Sequence, residues 1–199
     1  MIYKLSKNIA VVFGSKSYIS KNEIDLIGYG LFTIISKILY CLISLIMGIL
    51  FRCTFASICF YLSFLFMKKY AGGVHASTEL RCFLISTFSI FCSISCIRLA
   101  TIYECFGWSI IVVTFIASFF ICKYAPIPSK EKSIDFVERR RYSRISKIRI
   151  FILWSIILML FVAKLNNLIY AISIAIILES ILLLIGKKAL RIKLSDDIA

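Results

Sequence analysis

The sequence predicts an all-α, polytopic integral membrane protein with about six membrane segments and an N-terminal amphipathic helix in the interface. Three observations carry that expectation. Of the 199 residues, 61% are hydrophobic and 17% charged, against about 45–50% and about 25% in soluble domains. Mean hydropathy is +0.95, more apolar surface than a chain this short hides in one core. The apolar residues are also gathered into runs separated by basic segments. A soluble globular enzyme is excluded, and so is a disordered chain, which requires low hydrophobicity.

The first 25 residues hold one short apolar run, Ile9 to Phe13, which is too little to predict a cleavable signal peptide. Ile2, Leu5, Ile9, Val12 and Phe13 recur at helical spacing with Lys4, Lys7 and Asn8 on other faces. That pattern predicts a short helix lying along the membrane surface. Six apolar stretches follow: Leu26–Phe51, Cys53–Met67, Phe83–Ile97, Cys105–Cys122, Ile150–Ala163 and Leu168–Ile185. The second, third and fifth fall short of the roughly 20 residues a crossing takes. Four crossings with two shorter insertions fit the same profile, so some segments are expected to be short or re-entrant. Residues 1–199 are expected to form one membrane domain.

Charge predicts the orientation. Segments 1–25, 68–82, 123–149 and 187–199 hold 20 of the 24 Lys and Arg. The alternate loops hold only Arg52, Arg98 and Lys164. By the positive-inside rule, both termini and the two longer loops face the cytoplasm. The net charge of +14 is thereby explained by topology, without nucleic acid. Among eight cysteines, Cys41, Cys59, Cys92, Cys96 and Cys122 lie within apolar runs, where a reduced Cys packs as a small hydrophobe. Cys92 and Cys96 are four apart, but without a second His or a Cys-x-x-Cys pair they suggest packing, not a metal site. No metal or cofactor is expected.

The single histidine, His75, stands in Lys68-Lys69-Tyr70-Ala71-Gly72-Gly73-Val74-His75-Ala76, with Cys82 seven residues on. A thiol becomes a nucleophile with a base in hydrogen-bond reach. On one continuous helix, residues seven apart are separated by roughly 10 Å along the axis. His75 and Cys82 therefore meet only if the chain folds back between them, and Gly72-Gly73 supplies backbone freedom for that. Lys68, Lys69 and Arg81 surround the segment with positive charge, the setting of reactive cysteines. Glu79, four residues beyond His75, is a candidate to orient the imidazole.

The order Lys-Lys-x-Ala-x-Gly-x-His-Ala followed by Cys82 resembles the signature of the accessory gene regulator B family, bacterial membrane cysteine endopeptidases that process quorum-sensing peptide precursors. The resemblance extends to Tyr124-Ala125-Pro126 at the start of the second basic loop and to Arg139-Arg140-Arg141-Tyr142. It implies that Cys82 is the nucleophile and His75 its general base and later acid. Attack of Cys82 on a precursor (AgrD-like) would release an acidic C-terminal tail and leave an acyl-enzyme thioester. An internal Cys or Ser of the precursor would then close a thiolactone or lactone ring. The family pattern fixes no acidic residue at Glu79. The resemblance also implies a homodimer.

Loop 123–149 carries nine Lys and Arg against Glu131, Asp135 and Glu138. Lys123, Lys130, Lys132, Arg139, Arg140 and Arg141 are candidates to bind the acidic tail, as well as anionic lipid headgroups. Lys37 and Glu179 are charges inside the first and last apolar stretches. Their similar depth and opposite sign predict an intramembrane ion pair, with snorkelling of each to the interface as the alternative. The competing function is a peptide transporter or permease without proteolytic activity. No phosphate-binding loop is present to drive one with ATP, and no H-E-x-x-H, G-x-S-x-G or paired intramembrane aspartates point to another protease class.

Overall fold

The structure is a computed structural model that describes residues 21–71, 79–127 and 135–196, together with Ser6, Asn8 and Val11. Among the described residues six helices are delimited: α1 Lys21–Leu50, α2 Thr54–Ala71, α3 Glu79–Ile102, α4 Glu104–Tyr124, α5 Phe136–Val162 and α6 Asn166–Asp196. The chain divides into two compact units, Met1–Ile43 and Ser44–Ala199. In the first, the described chain is chiefly α1 up to Ile43. The interfacial helix expected within residues 1–25 falls outside the described residues, apart from Ser6, Asn8, Val11 and the opening of α1.

Each apolar stretch becomes one helix, and most helices run past the stretch that predicts them. Ile150–Ala163 is only the second half of the 27-residue α5, and Phe83–Ile97 is the middle of the 24-residue α3. Hydropathy marks the part of a helix that lipid contacts, whereas Arg, Glu and Lys prolong helices well beyond it. Much of the expected basic loop 123–149 is therefore helical. Five segments are long and apolar enough to cross a membrane: Ile27–Leu50, Leu80–Ile102, Phe106–Tyr124, Val137–Val162 and Asn166–Lys188. The sixth helix, α2, has 18 residues, about 27 Å of rise against a hydrocarbon core of about 30 Å. Lys68 and Lys69 in its last turn dilute its apolar character.

In the second unit α6 is central, with α2, α3, α4 and α5 all packed on it. Ile169 to Ile176 are buried in unbroken succession. A helix apolar on every side is stable where protein covers every side, and this run without helical alternation meets that condition. The surrounding helices instead expose large apolar side chains such as Phe55, Phe88, Phe115, Phe151 and Met159, as lipid-facing surfaces do. Trp154 of α5 donates its indole N–H to Ser118 Oγ on α4 at 2.9 Å, which satisfies the one polar atom of a half-buried ring.

Two connections share one geometry. After α1, the Arg52 and Cys53 amides donate to the Ile49 and Gly48 carbonyls at 3.1 and 2.8 Å, with Arg52 at φ 54°. After α5, the Lys164 and Leu165 amides donate to the Phe161 and Leu160 carbonyls at 3.1 and 3.0 Å, with Lys164 at φ 57°. Both are Schellman caps, where glycine is the usual residue. Here a cation stands against the negative end of the helix dipole instead. Gly48 lets α2 come close: a Cβ there would lie 2.8 Å from Ser57 Cβ and 3.1 Å from Thr54 Cα. Relief of left-handed strain outweighs one screened dipole contact, so Lys164→Gly is expected to stabilise the protein by about 0.5–1 kcal/mol. Thermal unfolding in detergent checks this, and an unchanged or lower midpoint would refute it.

Candidate active site

The end of the second unit away from these two caps gathers the last turns of α2, α4 and α6 and the first turns of α3 and α5. Cys82 is the fourth residue of α3, half-buried and with a free thiol. Helices start with unpartnered amide groups, and the α3 start carries the positive end of the helix dipole. Lys68, Lys69, Tyr70 and Ala71 close α2. The expected catalytic loop 68–82 therefore has helical flanks, 68–71 and 79–82, on either side of residues 72–78. His75 lies in that stretch, outside the described residues, as do Lys130 and Lys132.

Three attachments hold the last turn of α2. The Ile127 amide donates to the Ala71 carbonyl at 3.3 Å, and Ala71, Ala125, Pro126 and Ile127 are all buried. The Ala125–Pro126 peptide is cis. Tyr70 meets Tyr142 of α5 edge to face, with centroids 5.5 Å apart. Arg149 of α5 donates to the Phe66 carbonyl, and its guanidinium lies 4.3 Å from the Phe66 ring and 4.2 Å from the Tyr70 ring. Thus Ile127, just after Tyr124-Ala125-Pro126, and Tyr142, which closes Arg139-Arg140-Arg141-Tyr142, both touch the root of the segment that carries His75.

Among the tail-binding candidates, Arg139, Arg140 and Arg141 are exposed on the first turns of α5, directly before Tyr142. Lys123 is exposed in the last turn of α4, its Nζ 5.6 Å from the Tyr124 ring. Lys187 Nζ lies 3.5 Å from that same ring, so the end of α6 adds a further cation to this side. Cys53 sits at the opposite end. Burial pushes its thiol up from the usual range despite the opposing field of Arg98, a setting unlike that of a reactive cysteine.

Glu179 is fully buried in α6, within the second unit, while Lys37 is exposed on α1 in the first unit. Arg149 is the residue that sequence analysis passed over, grouping it with the topological charges of loop 123–149. Its signal was legible: it is the last cation before an uninterrupted apolar run, and a charge at membrane depth needs a partner.

The accessory gene regulator B family model matches residues 2–183. Two proteins of Clostridium perfringens, both named as AgrB-like, are similar over most of their length. One, from strain SM101, is 25% identical over 187 residues, covering 92% of this chain and 87% of its own. The other, from strain 13, is 23% identical over 175 residues, covering 85% and 79%. No solved structure matches the chain. The family match embraces four of the five spans and the fifth as far as Leu183, together with both segments that adjoin the last turn of α2: this chain belongs to the accessory gene regulator B family.

Proposed function

We propose that this protein is a membrane cysteine endopeptidase that trims the tail of a quorum-sensing peptide precursor, with Cys82 as nucleophile and His75 as its base. The observation that carries this reading is the placement, at one end of the bundle, of a free Cys82 in the first turn of α3 and of the anchored last turn of α2, which ends four residues before the only histidine, His75. Family membership supports the same chemistry. His75 takes the proton of the Cys82 thiol, and the thiolate adds to the scissile carbonyl. As the C–N bond breaks, His75 returns the proton to the leaving amine and a thioester remains on Cys82. An internal thiol or hydroxyl of the precursor then adds to that thioester, freeing Cys82 and closing the ring. The amides at the start of α3, which have no partner within the helix, are suited to the negative oxygen that forms in each addition. The basic end faces the cytoplasm in this scheme, as do both termini.

Co-expression with the short precursor encoded beside the gene tests the proposal. Intact-mass analysis of the purified protein is expected to find a precursor fragment on Cys82 that hydroxylamine removes, together with a free tail. A peptide carrier would leave the precursor whole and Cys82 unmodified, and that outcome refutes the peptidase.

The exposed cations Lys123, Arg139, Arg140 and Arg141, with Lys130 and Lys132, are assigned to the acidic tail. Exposed charges interact over a screening length of about 10 Å at 0.1 M salt and about 3 Å at 1 M. KM for tail release is therefore expected to rise several-fold between those salt concentrations, with kcat nearly unchanged. A KM that ignores salt would remove these residues from tail binding.

A further inference from the structure

Glu179 has no exposed surface, and neither carboxylate oxygen accepts a hydrogen bond from the described residues. An ionised carboxylate enclosed at membrane depth is costly unless a cation lies against it. Of the helices packed on α6, α2 has the most extensive contact, and its last turn holds two lysines that behave differently. Lys69 is exposed, with Nζ 5.4 Å from the ring of its outward neighbour Tyr70. Lys68 is half-buried, with Nζ 5.0 Å from the Phe64 ring, one turn further into the membrane. Phe64 in turn stacks on the fully buried Phe60. A lysine at the membrane boundary ordinarily stretches toward water. The Lys68 ammonium instead follows the inward tilt of helical side chains, at the level of Glu179: Lys68 is the fifteenth residue of α2 and Glu179 the fourteenth of α6, and both helices start at the capped end of the unit.

We propose that Glu179 is the counter-ion of Lys68, and that through this pair it is a positioning residue for the segment that carries His75. Its effect on catalysis rests on the peptidase reading above; the pairing itself does not. The pair pins the last turn of α2 from the α6 side, while Ile127, Tyr142 and Arg149 hold it from the other elements. This pairing is an alternative to the Lys37 partner expected from sequence depth, and the melting series below distinguishes the two.

Melting of the detergent-purified protein decides the pairing, because removing the cation strands a buried carboxylate whereas removing the carboxylate does not strand a lysine near the boundary. Lys68→Met is expected to lower the midpoint by about 5 °C. Glu179→Gln should change it little, and the double variant should return close to wild type. A Lys68→Met protein that cannot be purified, alongside a double variant that can, supports the pair equally. A double variant no more stable than Lys68→Met overturns it, as does rescue by Glu179→Gln of Lys37→Met but not of Lys68→Met. For positioning, Glu179→Gln is expected to lower kcat for tail release roughly tenfold with KM unchanged, and Glu179→Asp to keep at least half of it. An unaltered kcat overturns the positioning role. If the wild type itself releases no tail, the peptidase reading and the positioning role fall together, while the melting series still decides the ion pair.

Discussion

Cys82→Ala is expected to abolish tail release, a loss on the order of 10⁴-fold or more, while the protein still inserts and melts as the wild type does. Cys82 is half-buried near the start of α3, and Ala is a strong helix former there, so the substitution removes the thiol at little structural cost. Nucleophile and base act as one unit, and losing either costs nearly as much as losing both. The His75→Ala, Cys82→Ala double variant should therefore be no slower than Cys82→Ala. Mass spectrometry of the tail checks both points. Residual release above about 1% in Cys82→Ala would displace Cys82 as nucleophile, and two losses that multiply would separate His75 from it.

Arg149→Ala is expected to have the largest effect on stability, about 2–4 kcal/mol, or a midpoint lower by about 5–12 °C. The substitution removes a charge-assisted bond to the Phe66 carbonyl and two ring faces. Such bonds contribute about 1.5–3 kcal/mol, and each desolvated cation–ring contact about 0.5–2 kcal/mol. The cost of desolvating the guanidinium offsets part of the total. Arg149→Lys keeps the charge but loses the planar stacking, and should recover less than half. Because Arg149 grips the turn that precedes residues 72–78, tail release should fall more steeply than folded protein. An Arg149→Ala protein that melts with the wild type would show that these contacts add nothing.

The helices were legible because each is an apolar run, and a run long enough to meet lipid leaves no other backbone solution. Their ends were less so: α5 begins at Phe136, fourteen residues before the apolar stretch assigned to it, because helix formers such as Arg and Glu show no hydropathic contrast with a loop. The Schellman caps at Arg52 and Lys164 were hidden for a different reason. Glycine is the residue that announces left-handed backbone, and neither position has it. At the site, the order of Lys68, His75 and Cys82 was visible as a motif. The attachments of Ile127 to Ala71 and of Arg149 to Phe66 bring together residues 56 and 83 positions apart, and no local pattern encodes such a pairing.

The enclosure of α6 has a consequence for biogenesis. Of the six helices it is the last to leave the ribosome, yet it is the one on which α2, α3, α4 and α5 all pack. Until it is inserted, the inner faces of the other helices have only lipid or one another for company, and Lys68 has no carboxylate to meet. The tertiary structure of the second unit is thus completed in one late step, so a nascent chain stalled before Asn166 presents the quality-control proteases of its membrane with the α6-facing surfaces of four helices uncovered.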